Sequence, residues 1–385
     1  MASVAEILEG KEICICAGSG GVGKTTTSAA IAAGLAAEGK RVVVLTIDPA
    51  KRLADSLGLK ELGNEPSKVD PRLFEQAGVE VEGELWAMML DAKATFDELV
   101  RKHAPDAETR DRILDNSIYR QLSNALAGSQ EYMAMEKLFE LHATGEWDVL
   151  VLDTPPSRNA LDFLDAPRRL TQFIEGRGMQ MFMKPTGFAT RVVGRGSSMA
   201  LGVLKRIIGI DLISDLAEFF EAFSGMVGGF RERAKRVTEL LGAKETTFVI
   251  VCGPQGDPID EAVYFHRKLV EAKMPVGGVI VNKVHYHSSG ADDSAEGSLP
   301  KDIKRVVKDD DLAGRVVANF EDFKALAERD AANIEHLARE LKQKRVIRVP
   351  YLDEDVHDLA GLLEINRYLF AESAEQREAI EAGVA

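Results

Sequence analysis

Eight residues, Gly18-Ser19-Gly20-Gly21-Val22-Gly23-Lys24-Thr25, constrain this chain more than any other stretch. Their spacing, G-x-x-x-x-G-K-T, is that of a phosphate-cradling loop. An apolar run, Ile13-Cys14-Ile15-Cys16-Ala17, precedes it, and an alanine-rich helical stretch from Thr26 to about Glu38 follows. Strand, loop and helix in that order are the context the motif needs. The glycines let backbone N–H groups turn inward around phosphate oxygens, and the helix N-terminus adds partial positive charge. Lys24 would reach the outer phosphates, and the Thr25 hydroxyl would ligate Mg²⁺. Gly20, Gly21, Val22, Gly23, Lys24, Thr25 and Thr26 are therefore the candidate nucleotide-binding residues. A dinucleotide fingerprint fits less well, because Lys-Thr-Thr follows Gly23 where a helix packed directly on the strand is needed.

Around this loop, Val- and Ile-rich runs recur at 12–17, 41–47, 85–90, 148–152, 247–252, 276–281 and 346–349. Most lack strict alternation, as strands buried on both faces should. Helical stretches separate them, which predicts an α/β fold: a doubly wound, mostly parallel sheet of the P-loop NTPase type. Two stretches are too long for simple crossovers. Residues at about 95–145 and 160–240 read as helical insertions forming a subdomain. Because the strands on either side of them need each other, we expect one domain over 1–385. The polar run 288–298 reads as a loop.

Composition closes off several classes. A formal net charge of -14 argues against a broad nucleic-acid surface. The first residues lack a signal-peptide pattern, and no apolar run reaches the length of a membrane span, so a cytoplasmic protein is expected. Three cysteines, none in C-x-x-C, fit a reducing compartment. Cys14 and Cys16 should point to one face of the first strand as buried small side chains, with a thiol metal site the alternative.

Three strand ends add chemistry. Asp48-Pro49-Ala50 follows the second strand, where an Asp can orient an attacking water or a Mg²⁺-bound water; a turn-forming Asp-Pro pair is the plainer account. Asp153-Thr154-Pro155-Pro156 follows the strand at 148–152, where an Asp holds metal in such folds and Thr154 to Arg158 would sense the third phosphate. Asn282 ends the strand at 276–281 and would hydrogen-bond an adenine edge, or serve as a turn residue. His285 and His287 read as solvated loop histidines before a zinc pair. Between residues 179 and 230, Met179, Met181, Met183, Met199 and Met226 account for five of eleven methionines, among Leu, Ile and Phe at near-helical spacing. The window is amphipathic helix, either bundle core or an apolar groove that adapts to varied partners.

In this order the motifs resemble the arsenite-pump and tail-anchored-protein-targeting ATPases, a branch of the deviant phosphate-loop class. The phosphate loop, Asp48-Pro49-Ala50 with Leu53, Asp55 and Leu57, Asp153 to Ser157 with Leu161 and Leu164, Asn282, and Val349-Pro350-Tyr351-Leu352-Asp353 carry the likeness. The resemblance implies ATP and Mg²⁺, with Lys24 and Asp48 catalytic and Thr25, Asp48 and Asp153 at the metal. It places Asn282 and Pro350 beside adenine. It further implies a homodimer whose ATP-driven closure reshapes a helical groove for a hydrophobic client helix at 179–230, and a membrane receptor. Three features depart from the pattern. Ser19 stands where the class has a lysine reaching across the dimer, for which Arg158 is a candidate substitute. There is no dimer-bridging C-x-x-C, and neither a second phosphate loop nor a cysteine cluster of the arsenite-pump kind. A targeting factor or chaperone is the leading expectation; an arsenite-efflux ATPase subunit and an ATP-gated scaffold without hydrolysis are the alternatives.

Overall fold

The computed structural model describes residues 3–48, 51–117, 119–120, 130–155, 225–286, 305–342, 345–352 and 354–373, together with 165–166, 172, 219, 303 and 376. Among the described residues eight strands form one sheet: β1 (Ile13–Ala17), β2 (Arg41–Thr46), β3 (Ser67–Lys68), β4 (Glu84–Met89), β5 (Val149–Asp153), β6 (Thr246–Cys252), β7 (Val276–Val284) and β8 (Val346–Pro350). Their order is β3-β4-β2-β5-β1-β6-β7-β8. Every neighbouring pair is parallel except β3 with β4. All the strands expected from the sequence are present. β3, a polar two-residue edge piece, was not expected.

The helices are α1 (Val4–Leu8), α2 (Lys24–Ala37), α3 (Arg52–Ser56), α4 (Arg72–Gln76), α5 (Ala92–His103), α6 (Ala107–Asp115), α7 (Gln130–Thr144), α8 (Val227–Leu241), α9 (Gly256–Glu271), α10 (Asp310–Leu341) and α11 (Leu359–Leu369). Several begin where an aspartate caps exposed N–H groups. Asp91 accepts from Ala94 N at α5, Asp309 from Asp311 N and Leu312 N at α10, and Asp358 from Gly361 N at α11.

Alternation along the strands divides the interior in two. Ile13, Ile15 and Ala17 of β1 face one layer with α5, α7, α8 and α9. Cys14 and Cys16 face the other, where α2 and α11 pack. Their sulfurs lie 4.0 Å apart, on one face as expected, and both are fully buried. In the first layer, Glu136 of α7 is buried and pairs with Arg233 of α8, whose guanidinium also stacks 4.2 Å over Phe139. Burial raises the Glu136 carboxyl, and the Arg233 charge opposes that rise. The pair thus ties α7 to α8 in a layer where an unpaired carboxylate would be costly.

Most of the methionine-rich window at 179–230 lies outside the described residues, as do the polar run 288–298, Pro49, Ala50, Arg158 and His287. Within that window Phe219, Met226 and Phe230 are buried. Phe230 packs on Phe96, and Phe219 on Tyr119. Among the described residues no helix is long and apolar enough to cross a membrane.

Candidate functional site

The phosphate loop leaves the C-terminal end of β1, where β5 lies on one side and β6 on the other. Two of its glycines answer distinct constraints. A Cβ on Gly18 would meet the Val251 carbonyl oxygen of β6 at 1.9 Å. Gly23 has φ +89, and a Cβ there would also lie 2.3 Å from Asn282 Nδ2. Gly23 is the N-cap of α2 and brings no side chain to its N–H groups. Those donors are left for an oxyanion. Gly23→Ala is expected to weaken ATP binding at least about tenfold and to lower stability by about 2 kcal/mol, since left-handed strain and the Asn282 collision act together. Calorimetric titration and urea unfolding read the two effects.

Lys24 is buried, and its Nζ donates to the Ser19 carbonyl at 2.7 Å. Burial lowers its pKa, while the charges of Asp153 and Asp48 act in the opposite direction. A desolvated ammonium held by one loop carbonyl is a ready partner for anionic oxygens.

Asp153 ends β5, in register with Cys16 of β1 and Thr46 of β2. Its Oδ2 accepts from Thr25 Oγ1 at 2.7 Å and from Thr46 Oγ1 at 2.9 Å. Its Oδ1 is buried and has no hydrogen-bond partner among the described residues. Burial pushes this carboxyl up to about 6, against the pull of both threonine hydroxyls and Lys24. A hydroxyl beside a carboxylate with an unfilled buried oxygen is a hard-oxygen donor set of the kind Mg²⁺ takes. Asp48 follows β2, and its backbone N–H donates to Thr46 Oγ1 at 3.2 Å. Thr46 therefore serves both aspartates. The T-x-D spacing at 46–48 was the only local sign of it.

Lys24, Thr25, Asp48 and Thr154 line one cleft of about 800 Å³, which also reaches Asn282, Pro350 and Tyr351. Thr154 Oγ1 donates to the Cys16 carbonyl at 2.9 Å, holding the start of the loop after β5 against β1. Asn282, buried at the end region of β7, donates from Nδ2 to the Val22 carbonyl at 2.9 Å. It braces the phosphate loop, a role its turn-like position did not suggest.

His285 corrects the sequence reading of solvated histidines. Its side chain is 17% exposed, and Nδ1 lies 2.7 Å from Asp330 Oδ2 of α10. Its backbone N–H donates to the same oxygen at 3.1 Å, and its ring stacks on Tyr351 with centroids 5.5 Å apart. The partner, 45 residues further on, is supplied by the fold and not by neighbouring sequence. Ser19 also has an unforeseen partner: its hydroxyl donates to the Glu261 carboxylate of α9.

The model of a family described as an anion-transporting ATPase matches residues 11–306. "ATPase GET3" of Podospora anserina is 24% identical over 282 residues, covering 71% of this chain and 74% of its own length. "ATPase GET3A" of Arabidopsis thaliana is 26% identical over 273 residues, covering 70% and 66%. A "putative arsenical pump-driving ATPase 1" of Aquifex aeolicus is 27% identical over 278 residues, covering 71% and 63%.

Proposed function

The chain belongs to the anion-transporting ATPase family, and from that premise we propose that it is a homodimeric targeting ATPase that binds and releases an apolar helix as it hydrolyses ATP. The observation that carries the hydrolytic half is one cleft lined by Lys24, Thr25 and Asp48, with Asp153 buried directly behind it and hydrogen-bonded to the Thr25 hydroxyl. The targeting half is supported by the likeness to proteins named GET3 and by the apolar, methionine-rich stretch at 179–230.

Each residue's part follows from its surroundings. The N–H groups opening α2 receive the phosphate oxygens, and Lys24 exchanges the Ser19 carbonyl for the outer phosphates. Asn282 uses Nδ2 on Val22 and keeps Oδ1 as an acceptor. That acceptor can take the N6 amine of adenine, the base that the family resemblance implies, with Pro350 flanking it. The Thr25 hydroxyl, Asp153 and Asp48 would hold Mg²⁺ or the waters around it. Bound Mg²⁺ supplies charge neutralisation at the outer phosphate oxygens. Asp48 orients the attacking water and takes up its proton as the oxygen bonds to phosphorus. A cytoplasmic location and a membrane receptor for client delivery complete the proposal.

Asp48→Asn tests it. Steady-state ATP turnover should fall about a hundredfold, while ATP affinity stays within about threefold. ATP should still drive capture of a fluorescent transmembrane-helix peptide, whose release should stall. Equal turnover by parent and variant, with ATP-driven closure retained, would install the scaffold reading instead.

A metalloid-pump reading has the Aquifex relative in its favour and the thiols against it. All three cysteines are buried, and Cys252 lies in the opposite layer from Cys14 and Cys16. The hydrogen bond between Cys14 and Cys16, then burial, raises the Cys14 thiol, and burial pushes Cys252 up to about 12. Thiols held protonated are poor ligands for a soft metalloid. Arsenite should therefore leave turnover unchanged.

A further inference from the structure

Ser19 occupies the position where the related ATPases are expected to present a lysine, and the structure gives it a different task. Its hydroxyl donates to the carboxylate of Glu261 on α9, while its carbonyl receives Lys24 Nζ at 2.7 Å. One residue thus joins the lysine of the phosphate loop to an acidic side chain, exposed at the rim of the loop. Glu261 is not one of the aspartates at the strand ends, and no step derived above uses it. Where a lysine would place positive charge at the crown of the loop, this chain has a neutral hydroxyl tethered to a negative one.

We propose that Glu261, anchored by Ser19, is a specificity-determining residue that sets the preference of this site between ATP and ADP by opposing the charge of the third phosphate. The inference rests on the nucleotide reading above. ATP and ADP share base, ribose and two phosphates, so an electrostatic element at the inner phosphates acts on both alike. Lys24 is the group that reaches the outer phosphates. Glu261 and Lys24 are hydrogen-bonded to the same residue, the one through the Ser19 hydroxyl and the other through the Ser19 carbonyl, so the carboxylate and the ammonium are close neighbours. A carboxylate near enough to bear on that ammonium bears on the phosphate it would hold. Like charge at that range disfavours the ligand with the greater negative charge. The Ser19 hydrogen bond holds the carboxylate at the crown of the loop.

Affinities of ATP and ADP, measured with Mg²⁺ by calorimetry for the parent, Glu261→Gln, Glu261→Lys and Ser19→Ala, decide the matter. Glu261→Gln retains an acceptor for Ser19 and loses the charge. It should tighten ATP about fivefold and ADP less than about twofold. Glu261→Lys should widen the difference further, and raising salt from about 0.05 to about 0.5 M should shrink it. Ser19→Ala, which keeps the charge but frees it, should move the ratio less than Glu261→Gln. Equal changes for both nucleotides, or none, would overturn the proposal and leave Glu261 a brace of the loop. A parent that binds neither nucleotide would instead defeat the nucleotide reading, and this inference with it.

Discussion

Lys24→Ala should cut ATP turnover by at least about a thousandfold and weaken ATP binding by about a hundredfold. The reason is the state of the ammonium in the folded chain. It is buried, its pKa is lowered by desolvation, and it is held by a carbonyl of the loop that it would leave for phosphate. A charge already removed from water interacts with an arriving anion more strongly than a solvated one. Removing it leaves the α2 N-terminus as the main anion-binding element, which positions phosphate but supplies little charge. Nucleotide-driven capture of an apolar helix should disappear with it. Parent-like turnover, or parent-like ATP-dependent capture, in a folded Lys24→Ala protein would sink the functional proposal at its base.

Asp153→Asn should separate stability from activity. The carboxyl is buried, one of its oxygens lacks a partner among the described residues, and its pKa is pushed up to about 6. The folded value lies above the ordinary value of 3.8. The folded state therefore holds the proton more tightly than the unfolded chain. This favourable contribution is fully present below pH 3.8 and is lost as pH rises from there through about 6. At pH 7 the carboxyl is ionised, and keeping that charge buried costs the folded state on the order of 3 kcal/mol relative to low pH. The neutral amide should accordingly stabilise the Mg²⁺-free protein by about 1–3 kcal/mol at pH 7, and the gain should fade below pH 5. Turnover should fall at least about a hundredfold, because the amide brings no charge to the cation. Urea unfolding in chelator across pH, beside turnover at saturating Mg²⁺, reads both. An Asn variant that loses stability at pH 7, or retains activity, would contradict the role given to Asp153.

How far the sequence anticipated the structure varied with the range of the interaction. β1, β5 and β6 lie inside the sheet and are buried on both faces, so each is built on a run of apolar residues, 13–17, 149–152 and 248–252, that announces itself. β3 is two polar residues whose pairing with β4 depends on an edge the sequence does not display. A helical stretch was expected between β7 and β8, but not the bounds or the 32-residue length of α10. Ala313 is the only buried residue in its first half, so apolar periodicity emerges late, at Ile334, Leu337 and Leu341. His285 was misread because Asp330, which orders it, arrives from that helix.

The sequence by itself determined the strand–loop–helix unit at 13–37, the succession of buried strands, and the aspartates placed at two of their ends. Each of these is set by residues adjacent in the chain, through backbone freedom at glycine and the burial of short apolar runs. Only the tertiary structure decided that Thr25 and Thr46 would share one oxygen of Asp153, that Asn282 would brace Val22, and that Ser19 would meet Glu261. Those contacts depend on which strands become neighbours and on how their crossovers return. Strand order is chosen by packing over the whole sheet, and no local pattern encodes it.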